Sequence, residues 1–206
     1  VTVAAGSSFG VYRDNVSNKL RVQAPGIYHV GARGNNKRLI FLNRDDRILF
    51  LETLDRVAVK HGWTIYAYCL MRNHYHLVME LGELGISGGM CELNSAYAIQ
   101  FNQRHGRINH LFGKRYWSDP LETDRRFLNT VRYVIQNPQR AGWKRPLERY
   151  EWSSYRATLD LALSPVRLEK DYVLAHFGAT PSAAREQFVD FCATVVPKGH
   201  PWRQPP

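Results

Sequence analysis

Residues 63–81 read Trp63-Thr64-Ile65-Tyr66-Ala67-Tyr68-Cys69-Leu70-Met71-Arg72-Asn73-His74-Tyr75-His76-Leu77-Val78-Met79-Glu80-Leu81. Two β-branched and aromatic runs flank the polar Arg72-Asn73 break, which is the pattern of a hairpin with strands over 63–70 and 73–81. Side chains alternate across a strand, so His74 and His76 share one face, about 7 Å apart at their Cα atoms, with Tyr75 and Leu77 on the other. Two imidazoles in that position grip one cation if a third ligand joins them. Without a third ligand they are two hydrogen-bonded strand histidines.

Upstream of the hairpin, Ala24-Pro25-Gly26 punctuates the chain, and 27–33 reads as a first strand ending in the Gly34-Asn35-Asn36-Lys37 turn. Ile48, Leu51, Leu54, Val57 and Ala58 then fall at helical spacing over 44–60, with His61-Gly62 as the stop. Downstream, Leu93, Tyr97 and Phe101 predict a second helix over 90–104, which ends in the basic run Arg104-His105-Gly106-Arg107. Residues 110–118 interleave aromatics with cations and predict a fourth strand. Lys114, Arg115, Tyr116 and Trp117 in that run suit backbone phosphates and stacked bases, or equally an ordinary amphipathic strand. The order strand, helix, strand, strand, helix, strand predicts an α+β fold of the ferredoxin-like kind. Its βαββαβ antiparallel sheet would carry helices on one face and leave the other for a ligand.

Asp124 is positioned to cap a third helix reaching 136 or 137, where Pro138 predicts a stop. Phe127, Leu128, Val131, Val134 and Ile135 gather on its apolar side, whereas Tyr133 and Asn137 stand one turn apart on the opposite side. Tyr133 there is either open for chemistry or a plain surface tyrosine. Residues 139–146 and 152–155 read as a Trp-anchored strap. Helical patterns over 171–178 and 182–195 predict a small C-terminal appendage. The expected organisation is a loosely attached leader over 1–23, one domain over 24–160, and an appendage with a frayed tail over 161–206.

The 206 residues suffice for one sizeable domain, and no apolar run is long enough for a transmembrane helix. Lys and Arg number 28 against 18 Asp and Glu, a formal charge of +10 that favours a polyanionic partner, nucleic acid first, over a merely solvated basic surface. Cys69, Cys91 and Cys192 are widely spaced and odd in number, which argues for a reducing, cytoplasmic setting without a disulfide framework.

Asn73-His74-Tyr75-His76-Leu77-Val78 and, further on, Arg132-Tyr133-Val134-Ile135-Gln136-Asn137-Pro138-Gln139-Arg140-Ala141-Gly142 together resemble the single-tyrosine HUH transposases, in particular the REP-associated tyrosine transposases. Pro25-Gly26-Ile27-Tyr28-His29-Val30, Arg33-Gly34-Asn35 and Trp152-Ser153-Ser154-Tyr155 add to the likeness, which covers about 24–160. Arg72 stands where relatives usually have proline, and Gly113 where they often have glutamine. The resemblance implies that His74, His76 and Asn137 bind a divalent cation, Mg²⁺ or Mn²⁺, and that Tyr133 is the nucleophile on an added catalytic helix. It further implies cleavage and rejoining of single-stranded or hairpin DNA through a 5′-phosphotyrosine, at the nucleoid, by a monomer or homodimer. By ligand preference alone two imidazoles would suit zinc. Arg33, Lys37, Arg104, Arg107, Lys114 and Arg115 are the expected phosphate contacts, with Tyr116 and Trp117 for stacking. The competing readings are a non-catalytic, sequence-specific DNA- or RNA-binding module on the same fold, and a metal-dependent hydrolase in which Tyr133 is only structural.

Overall fold

Past Pro25 the chain enters an extended run in which Tyr28, Val30 and Ala32 alternate with His29, Gly31 and Arg33, and it is this run that becomes the centre of the sheet. In the computed structural model, which describes residues 25–194, it forms β1 (Gly26–Arg33). The leader expected over 1–23 and the tail expected over 197–206 lie outside the described residues. A helix, α1 (Arg44–His61), follows, started by a capping box between Asn43 and Asp46 and stopped by Gly62 in the left-handed conformation at φ 65°. The hairpin comes next as β2 (Thr64–Leu70) and β3 (His74–Leu81), turning tightly so that the Met71 N–H donates to the His74 carbonyl at 2.9 Å. Then come α2 (Ser87–Arg104), β4 (Trp117–Pro120) and α3 (Asp124–Arg140). The sheet order is β2-β3-β1-β4 with every pair antiparallel, so β1 and β3 are its inner strands. This is the ferredoxin-like α+β arrangement.

Two cores form because the sheet is covered on both sides. Tyr28, Val30, Tyr75, Leu77 and Met79 meet Phe50, Leu54, Tyr97 and Phe101 of α1 and α2 on one side. Ala67, Cys69 and Val78 meet Phe127, Val131 and Val134 of α3 on the other. The face expected to stand open for a ligand is therefore largely closed by α3.

The fourth strand is shorter and later than the expected 110–118. Phe112 makes a single bridge with Gly34 beyond the end of β1, the chain detours through Lys114 and Arg115, and regular pairing begins only at Trp117 opposite Gly31. The third helix also differs from expectation. Thr123, not Asp124, is the N-cap, its side chain accepting from the Arg126 N–H, and the helix runs on through Pro138 to Arg140. A proline this close to the end removes one ladder bond, and Ala141 still donates to the Asn137 carbonyl at 3.0 Å.

After α3 the strap forms as expected and has a definite task. Leu70 donates to the Trp152 carbonyl and Ser154 to the Tyr68 carbonyl, so 152–154 pairs with the outer edge of β2. The Glu169 N–H does the same at Ile65. An exposed sheet edge is thereby covered. Short α4 (Tyr155–Thr158) and α5 (Lys170–Leu174) lead to α6 (Pro181–Ala193), which packs Phe188 and Cys192 into the second core. The Gln136 carboxamide locks α3 to α6 by donating to the carbonyls of Cys192 and Thr194 at 2.6 and 2.9 Å.

Candidate active site

The β1–β3 register sets Gly31 opposite His76 and Arg33 opposite His74, all on the face turned to α3. His29, two residues before Gly31 on that face, reaches diagonally to His76. Its Nε2 lies 3.0 Å from His76 Nδ1, and the two rings stack with centroids 5.1 Å apart. On the other flank of β1, Trp117 pairs with Gly31 and lays its indole across that glycine, edge-on to His76 at 5.6 Å and to His29 at 6.4 Å. A Cβ on residue 31 would fall 2.2 Å from the indole, so only glycine permits this wall.

α3 closes the site from above. The Tyr133 ring stands edge-on to His29 at 5.8 Å and to His76 at 5.7 Å. One turn later, the Asn137 Nδ2 donates to the Tyr133 carbonyl at 3.0 Å, which holds its carboxamide near enough to the His76 ring and the Tyr133 hydroxyl to influence both. His74 completes the group with its ring edge-on to His76 at 5.0 Å. Its Nδ1–H donates to Asn73 Oδ1 at 2.7 Å, and Asn73 in turn donates to the Lys37 carbonyl at 3.0 Å.

The electrostatics follow from this burial. Desolvation holds the His29 imidazole down at about 4, against the opposing Asp119 carboxylate and with help from Arg126. Desolvation, then Arg33, holds His74 at about 4 as well. His76 is pushed well below the ordinary imidazole range by burial, then by its two histidine neighbours and Arg33. All three rings are neutral at pH 7 and keep a lone pair. Burial raises the Tyr133 phenol, while the Arg140 charge, the nearby Asn137 carboxamide and Arg33 pull it part of the way back. The Arg140 guanidinium lies 5.0 Å over the Tyr133 ring.

Among the described residues no three His, Cys, Asp or Glu side chains are grouped to hold a metal ion. The donors that do converge are of mixed type, two neutral imidazoles and one carboxamide. With each Nδ1 engaged, Nε2 of His74 and of His76 is the nitrogen available to a cation, and with Nδ2 of Asn137 on the Tyr133 carbonyl, its amide oxygen would be the third donor. That set fits a divalent cation by chemistry and by protonation state.

The sequence expectation for Tyr133 is corrected in one respect. It does not stand away from the core; it is 7% exposed, because α3 is buried between the sheet and α6, and its polar groups face the histidines. Arg33 lies within electrostatic reach of His74, His76 and Tyr133, and Lys37 sits in the adjoining turn. Lys114 and Arg115 are exposed on the detour before β4. Arg104 and Arg107 belong instead to the α1–α2 layer, Arg104 paired with Asp45 at 3.0 Å and Arg107 over the Phe101 ring. Tyr116, expected to stack on bases, is buried in the first core with its hydroxyl 3.1 Å from Ser87 Oγ, since its neighbour Trp117 takes the opposite face. Neither His29 nor Arg140 was singled out by sequence reasoning. Arg140 carried a signal, seven residues and thus two helical turns after Tyr133; His29 needed the register.

Over residues 24–137 the sequence matches the family model described as transposase IS200-like. No curated protein matches the chain. Among solved structures, the REP-associated tyrosine transposase bound to a REP hairpin shares the fold, with a TM-score of 0.60 at 19% identity over 70% of this chain and 86% of that one. A candidate transposase from Deinococcus radiodurans R1 is also similar, with a TM-score of 0.40 at 13% identity over 59% and 97% of the two chains.

Proposed function

Because the chain belongs to the IS200-like transposase family, we propose that it is a metal-dependent DNA strand-transferase. It would cleave and rejoin single-stranded, hairpin-bearing DNA through a 5′-phosphotyrosine at Tyr133. The observation that carries this reading is the placement of the Tyr133 ring 5.7 Å from that of His76, with the Asn137 side chain anchored one turn on by the Tyr133 carbonyl. The shared fold with a transposase bound to a REP hairpin supports hairpin DNA as partner, and so does the +10 charge. Such a partner would place the protein at the nucleoid, in the cytoplasm. The active unit would be a monomer or a homodimer. The catalytic unit is taken as 24–160, with 161–206 added to it.

His74, His76 and Asn137 would hold Mg²⁺ or Mn²⁺, which supplies Lewis-acid polarisation of the scissile phosphate. The chain's own part is alignment and charge. Tyr133 Oη attacks phosphorus; the new P–O bond forms as the bond to the 3′ oxygen breaks, the phenolic proton leaves to a base or a phosphate oxygen, and a proton returned from there or from water completes the 3′-OH. Arg140 and Arg33, which offset part of the rise that burial imposes on the Tyr133 phenol, would meet the non-bridging oxygens. The released 3′-OH reverses the step by attacking the phosphotyrosine, so no nucleotide cofactor is consumed.

A labelled hairpin oligonucleotide incubated with the protein and Mg²⁺ or Mn²⁺ should be cleaved. Excess chelator, His74→Ala or His76→Ala should each reduce cleavage by about 100-fold or more, since the several kcal/mol of charge stabilisation a cation supplies would be lost. Cleavage that persists in excess chelator would remove the cation from the mechanism.

A further inference from the structure

A histidine that binds a cation through one ring nitrogen must have the other nitrogen protonated, and something must hold that proton in place. For His74 the holder is Asn73 Oδ1, 2.7 Å from Nδ1. At His76 the position is taken by His29 Nε2, 3.0 Å from Nδ1, on a strand whose register fixes the two residues diagonally across β1 and β3. His29 is 7% exposed and walled by Trp117 and Tyr133, with Asp119 directly opposite on β4. An apolar ring would fill that space at lower desolvation cost, so the imidazole calls for a polar role.

We propose that His29 is a positioning residue for His76: its Nε2 accepts the His76 Nδ1–H, fixes the tautomer and ring plane, and leaves His76 Nε2 aimed at the cation. This rests on the reading of His74, His76 and Asn137 as a cation site. The pair then forms a relay of two imidazoles, with His29 outside the ligand set. Glutamine at position 29 preserves the role, because its carboxamide oxygen reaches about as far as the imidazole Nε2; phenylalanine keeps the bulk and removes the acceptor.

The test is Mn²⁺ binding to the full chain, followed by loss of the free-ion electron paramagnetic resonance signal, for wild type, His29→Gln, His29→Phe and His76→Ala. Wild type and His29→Gln should bind within a few-fold of each other, and His29→Phe should bind about 10- to 100-fold more weakly. His76→Ala should lose the site. Unweakened binding by His29→Phe, with binding lost in His76→Ala, overturns the role of His29 and leaves the cation site standing. If wild type binds no Mn²⁺, or His76→Ala binds as wild type does, the cation site falls and this inference with it. Should His29→Phe fail to fold, the metal-free wild type still decides. Proton NMR should show an exchange-protected imidazole N–H shared by His29 and His76, and its absence would refute the relay.

Discussion

At the scale of single residues, the site consists of side chains whose charge has been removed by burial. His29 illustrates the consequence. Its folded value of about 4 lies below the unfolded 6.5, so as pH falls the unfolded chain takes up the proton first. The stability tied to His29 is fully present above 6.5 and is lost as pH drops toward 4. For this group alone the loss is on the order of 2 kcal/mol between pH 7.5 and pH 5. Urea unfolding at those two pH values should show it, with a smaller pH response in His29→Gln; equal midpoints at both pH values would contradict the buried neutral imidazole. His74 and His76 were legible as a pair because alternation along one strand suffices to put them on one face. His29 lies 47 residues from His76, and no local pattern carries the strand register that joins them.

Elements bring these residues together, and the β1–β4 junction tolerates least. Gly31 lets Trp117 cross the strand. A methyl group there would meet not only the indole but also the Tyr75 carbonyl oxygen at 2.3 Å, a backbone atom that cannot swing aside. Gly31→Ala should therefore displace Trp117 from His76, shift the tryptophan fluorescence and destabilise the chain by about 1–3 kcal/mol. An unchanged melt and emission would show that the strand gives way easily. The hairpin, α1 and the strap could be read in advance because period, caps and a tight turn are local signals. The polar side of α3 was misread for the opposite reason. Its apolar stripe was visible, but Tyr133 is covered by His29 and His76 of the sheet, and α6, which buries the flank of Gln136 and of Arg132, lies more than fifty residues on. A helix covered on two sides cannot be sorted into core and surface from its own sequence. Residues 110–118 failed similarly, because the detour at Lys114 and Arg115 depends on where β1 ends.

For the whole molecule, the governing quantity is the distribution of its +10 charge. Arg33 and Arg140 reach the site, and Lys114 is exposed on the loop beside the end of β1, whereas Arg104 is held by Asp45. Hairpin binding should weaken with salt by a log–log slope of several units, and Lys114→Ala should lower that slope by about one while weakening all oligonucleotides alike. A flat salt response would make the charge a solvated surface. All the proposed chemistry converges on one hydroxyl, and the competing tyrosines are committed elsewhere, Tyr97 to the Ile40 carbonyl and Tyr116 to Ser87. The most direct measurement is covalent trapping on a denaturing gel of a labelled hairpin oligonucleotide with Mg²⁺ or Mn²⁺, with the adduct located by peptide mass spectrometry. Wild type should carry the DNA on Tyr133, and Tyr133→Phe should form no adduct while binding the oligonucleotide nearly unchanged. An undiminished adduct in Tyr133→Phe, or DNA mapped to another residue, would contradict Tyr133 as the nucleophile.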